Sequence, residues 1–164
     1  MKRNSDDIIR LIAELKNDQS QLLQLFETNT RAMERIHSGA RDYLDFAALG
    51  YTIHNIYSVI ENACLRIAKF FENNLSESSW HKELLERMRL DIPELRPAFF
   101  SEPVYLLVDD LRSFRHVFRN LYAKPIDQDK ILLVQKKVPQ CITEVSKAVD
   151  AYALFLSELR KDIS

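Results

Sequence analysis

Residues 42–71 read DYLDFAALGYTIHNIYSVIENACLRIAKFF, and the fold turns on that stretch. Phe46, Ile53, Tyr57, Ile60, Cys64, Ile67 and Phe71 recur at steps of three, four or seven residues, which is the repeat of one helical face and not the alternation of a strand. The spacing predicts a long helix from about Asp42 that ends at Asn73-Asn74, with its apolar stripe at the centre of the core.

Reading outward in both directions gives more helix. Upstream, Asn4-Ser5-Asp6-Asp7 offers capping oxygens and acids suited to a helix N-terminus, and Ile8, Ile9, Ile12 and Leu15 then follow at helical spacing. This first helix is expected to reach about Ile36 and to end in His37-Ser38-Gly39. Downstream, Trp80 to Met88 reads as a short amphipathic helix, and Pro93 and Pro97 predict an extended connection. Ser101-Glu102-Pro103 supplies a capping hydroxyl and an early-turn proline for a helix from about Val104 to Leu121, ended by Pro125. A last helix is expected from near Asp127 to about Arg160, kinked or split by Pro139.

Composition agrees with this reading. A chain of 164 residues is one domain's worth, 46% of it hydrophobic and 29% charged. With 2 glycines it cannot build the glycine-rich loops of Rossmann or P-loop nucleotide sites, nor supply the turns of an all-β fold. The class is all-α. A formal net charge of −1 gives no overall attraction to nucleic acid or anionic membrane, so any basic site is local. Cys64 and Cys141 are far apart on apolar faces, no stretch is apolar enough to span a bilayer, and the start lacks a secretory hydrophobic run. These features predict a reduced, cytoplasmic protein with no membrane contact.

The chemistry concentrates on the helix after Pro103. Leu107, Leu111, Phe114, Phe118 and Leu121 form an apolar stripe, and Arg112, Arg115, His116 and Arg119 are expected together on the opposite face. Stacked guanidiniums call either for carboxylate partners within the chain or for a phosphate-bearing ligand held by bidentate forks. His116 among cations resists protonation and can serve as a base, so this face carries a minimal apparatus for cleaving RNA without a metal. His54 reads as a hydrogen-bonded core residue, His81 and His37 as helix-end residues, and no pair of histidines has metal-ligand spacing. Neither metal nor cofactor is expected. Tyr122 sits at the margin of the basic face, where spacing alone has it pack against Pro125.

The segment Leu111-Arg112-Ser113-Phe114-Arg115-His116-Val117-Phe118-Arg119-Asn120-Leu121-Tyr122 resembles the signature helix of HepT-like proteins of the HEPN superfamily. The stretches Ile53 to Glu61, Trp80 to Met88 and Arg96 to Ser101 resemble the same family in the same order, so the likeness covers roughly residues 40–160. The resemblance implies an up-and-down bundle of four to six helices and a toxin-type ribonuclease. It also implies a homodimer with a composite site and a nucleotidyltransferase antitoxin that in some members adenylylates a tyrosine. On this chain the motif falls on Arg115, His116, Asn120 and Tyr122, with Arg112 and Arg119 beside it for RNA phosphates and Tyr122 as the tyrosine the resemblance implies an antitoxin would modify. Asn120 stands where the family has its catalytic histidine and cannot accept a proton near neutral pH. Two readings follow: His116 takes over as base, or the helix binds RNA, a nucleotide or a partner without cutting.

Overall fold

The computed structural model describes residues 4–72, 80–120 and 125–163. Among them are the helices α1 (Ser5–His37), α2 (Tyr43–Phe71), α3 (Trp80–Met88), α4 (Glu102–Arg119), α5 (Gln128–Gln135) and α6 (Val138–Ile163), and no strand. The all-α expectation holds, with the helix count inside the expected range. Side-chain oxygens close the helix starts: Asn4 accepts from the Asp7 amide at 2.7 Å, and Asp42 and Asp45 cap each other's backbone. Between α1 and α2, Gly39 takes φ +103°, a left-handed conformation that lets the chain reverse within five residues.

Cross-helix contacts fix the directions. Asp18 meets Arg66 and Asp45 meets Arg35, so α1 and α2 run antiparallel; Lys16 meets Asp150 and Ser5 meets Arg160, so α6 also opposes α1. Lys137 at the start of α6 meets Asp110 of α4 at 2.5 Å. The long helices α1, α2, α4 and α6 thus form an up-and-down square. The short helix α3 packs against α2 and α4, and α5 packs against α2, α4 and α6. The expected stripe of α2 is fully realised, with Phe46, Ile53, Tyr57, Ile60, Cys64, Ile67 and Phe71 all buried. Its break at Asn73-Asn74 lies outside the described residues.

One expectation is met within a few residues, and two need adjustment. The last helix is split at Lys136-Lys137, and Pro139 sits in the first turn of α6, where its missing N–H leaves no bond unmade. The connection after α3 is a tight turn and not an extended run: Ile92 and Arg96 bridge across it, and the Arg96 side chain, 2% exposed, ties it to Glu72 and to the carbonyls of Arg87, Leu90 and Pro97. In α4 the buried face is carried by Val104, Tyr105, Val108, Leu111 and Phe114, while Leu107 and Phe118 are only half-buried. The stripe is rotated from the expected one, with consequences for the basic residues.

Gly50 of α2 faces α4. A Cβ placed there would lie 3.4 Å from Phe118 Cδ2 and 3.6 Å from Phe114 Cζ, ordinary contact distances. An alanine fits that space and recovers the helix propensity glycine forgoes, so Gly50→Ala should stabilise the fold by about 0.5–1 kcal/mol in denaturant melts. Gly50→Leu should destabilise it, because the added carbons must displace Phe118.

Candidate functional site

The end of α4 meets the middle of α2 and the start of α3, and the basic residues divide between two environments there. Arg112 is tied to Asp109 one turn back, Nε to Oδ1 at 2.6 Å. Arg119 is exposed and, among the described residues, makes no ion pair or hydrogen bond. Arg115 is half-buried and points not to the outer face but into the junction with α3, where its Nη1 lies 3.1 Å from His81 Nε2. The expectation of one outward face for Arg112, Arg115, His116 and Arg119 therefore fails at Arg115. One step of α4's rotation puts Arg115 beside the core and leaves His116, Arg119 and Asn120 exposed at the helix end.

Behind Arg115 lies a buried chain of polar groups. Glu61 is 8% exposed; its Oε2 accepts the Tyr57 hydroxyl at 2.5 Å and lies 2.5 Å from His81 Nδ1. A guanidinium can only donate, so His81 Nε2 is the acceptor and Nδ1 carries the proton given to Glu61. The Tyr57 hydroxyl, buried and beside a carboxylate, is pushed far above the ordinary phenol range and stays neutral.

His54 completes the cluster. Its ring stacks on Phe118 with centroids 4.9 Å apart, and its buried Nδ1 has no hydrogen-bond partner, so the expectation of a hydrogen-bonded core histidine is not met at that atom. Burial holds its pKa below the ordinary histidine value, and the charges of Arg115 and Arg119 add to this against the opposing pull of Glu61. On the outer side, Asn120 caps α4, its amide donating to the His116 carbonyl at 3.0 Å and approaching His116 Nε2 at 3.5 Å. Tyr122 lies outside the described residues.

Among the described residues the arrangement offers two arginines without a carboxylate partner, imidazoles beside them and an exposed amide, which is a setting for an oxyanion and not for a cation. Among the described residues no group of His, Cys, Asp and Glu converges to hold a metal ion. Sequence reasoning missed Tyr57, Glu61 and His81. A signal was present, since Glu61 falls four residues after Tyr57 and three before Cys64, on the apolar stripe itself, where a carboxylate requires a partner.

The family model described as HepT-like protein matches residues 48–156, which spans all the elements of this site. No curated protein and no solved structure matches the chain.

A pH effect follows from His54. Folding depresses its pKa, so below about pH 6.5 the unfolded chain binds a proton that the folded chain resists, and stability falls as pH drops. Wild type should lose urea resistance between pH 7.5 and 5.5 (about one unit either side of that value). His54→Phe keeps the stack on Phe118 without a titrating group and should flatten that loss; an unchanged slope would show that other groups govern it.

Proposed function

The chain belongs to the HepT-like family of HEPN-type proteins, and on that premise we propose that it is the ribonuclease toxin of a toxin–antitoxin pair, cutting RNA without a metal. The observation that carries this reading is the state of Arg115 and Arg119: among the described residues, neither is paired with a carboxylate. Phosphate is the ligand such guanidiniums lack. In the proposed reaction His116, with Asn120 at its Nε2, takes the proton of an RNA 2′-hydroxyl; the freed oxygen attacks the adjacent phosphorus, and the 5′-oxygen leaves with a proton from water. The products are a 2′,3′-cyclic phosphate and a 5′-hydroxyl. Arg115 and Arg119 stabilise the charge that builds on the phosphorus oxygens. Arg112 joins in phosphate binding only by exchanging Asp109 for RNA, so its contribution is the smaller one.

The reaction is tested with purified protein and RNA in EDTA. Cleavage is expected, and Arg115→Ala should reduce it by about 10²-fold, the usual effect of removing one preorganised donor. A second reading, a silent binding module, is favoured by Asn120, whose amide is occupied in capping its own helix. Asn120→His separates the two. A sharp rise in cleavage marks the natural chain as silent, and little change marks His116 as the working base.

Two copies complete the site in this proposal. Leu44, 72% exposed, and Tyr51, 59% exposed, lie with exposed Ala48 along one stripe of α2, one turn from Gly50 and the His54–Phe118 stack. A twofold axis there sets the two basic sites across a common groove. Light scattering should give twice the 19.2 kDa chain mass, and Leu44→Glu with Tyr51→Glu should give monomer and abolish cleavage. A nucleotidyltransferase antitoxin, acting in the cytoplasm, is the proposed partner, with Tyr122 as the hydroxyl it adenylylates. An added phosphate there would occupy the arginines and exclude RNA.

A further inference from the structure

We infer that His81 is the positioning residue for Arg115, holding the guanidinium with a neutral lone pair so that its positive charge stays available to a phosphate; the inference rests on the RNA reading above. The contrast lies within the same molecule. Arg35, Arg66, Arg87, Arg89, Arg96 and Arg112 are each bridged to a carboxylate, which orders the side chain but cancels its charge on contact. Arg115 is ordered by an imidazole nitrogen at 3.1 Å instead. The negative charge that fixes the ring, on Glu61, is set back by the width of that ring and shared with the Tyr57 hydroxyl.

This geometry also selects the tautomer. Glu61 takes the Nδ1 proton, so the Nε2 lone pair faces α4, and Arg115 uses one of its five N–H donors on it and keeps the others. His54, the second imidazole near Arg115, brings no negative charge to the junction. Three helices therefore meet on one guanidinium: α2 through Glu61, α3 through His81 and α4 through Arg115 itself.

The full chain is tested with two probes, a fluorescein-labelled single-stranded RNA with 2′-O-methyl riboses, which it cannot cut, read by anisotropy over a salt series, and inorganic tripolyphosphate read by calorimetry. His81→Gln preserves a carbonyl for Arg115 and an N–H for Glu61, and should bind both probes within about threefold of wild type. His81→Leu removes the acceptor; it should bind about tenfold more weakly, and its salt slope should flatten by about 0.7, one phosphate contact on a single strand. Rescue by glutamine but not leucine is what packing alone would not produce. Equal binding by wild type and His81→Leu overturns the inference and leaves the RNA reading intact. Binding of tripolyphosphate with this dependence on position 81, but not of RNA, overturns the RNA reading and supports the inference. Binding of neither probe by wild type overturns both. Should His81→Leu fail to fold, ¹⁵N shifts of the wild-type imidazole decide: a proton on Nδ1 with Nε2 bare supports the inference, and a proton on Nε2 overturns it.

Discussion

A carboxylate inside the central helix must be compensated, and much of this molecule is arranged around that requirement. Glu61 sits on the apolar stripe of α2, where an ionised group without partners would cost several kcal/mol. One partner, Tyr57, comes from the same helix one turn earlier; the other, His81, must come from elsewhere, and it arrives on α3. The short helix is thereby held against α2 by a polar bond as well as by buried Leu84, Leu85 and Met88. With α3 in place, the far nitrogen of its histidine stands where α4 passes, and Arg115 falls against it. A stability requirement and a candidate phosphate site thus share the same side chains.

Two arginines show how partner choice separates an enclosed side chain from one left open to a ligand. Arg96 is enclosed, bonded to Glu72 and to three backbone carbonyls, with no donor left for a ligand; it locks the turn between α3 and α4. Arg115 is only half enclosed and meets a neutral group. The first sets where α4 begins and the second uses where α4 ends.

What could be read from the sequence was whatever depends on local periodicity. The stripe of α2, the bounds of α3, the capping role of Ser101 and the break before Pro139 all follow from residues within a few turns of one another. The turn at 91–96 was misread because its shape depends on Glu72, 24 residues before Arg96. The face of Arg115 was misread for the same reason: its partner is 34 residues away on another helix. Helical spacing told which residues of α4 are neighbours, but not how far the helix is rotated against α2, since Gly50 and the Phe118–His54 stack decide that. Helical spacing picks out the residues of α4, whereas the groups of α2 and α3 that meet them carry no pattern of their own.

Two residues before His54 on α2, Thr52 accepts from Asn29 of α1 at 2.8 Å, and Asn29 exchanges paired amide bonds with Gln135 of α5 at 2.8 and 2.7 Å, all of it buried. Apolar stripes on long antiparallel helices are nearly indifferent to sliding by one turn, because leucine and isoleucine find similar neighbours after the shift. The amides are not indifferent. A slip of one turn would strand several buried donors and acceptors at about 1–3 kcal/mol each, so this trio indexes α1 against α2 and fastens α5 to both. The bundle consequently has one register available to it, and the convergence on Arg115 some turns away inherits its alignment from an asparagine that never touches it.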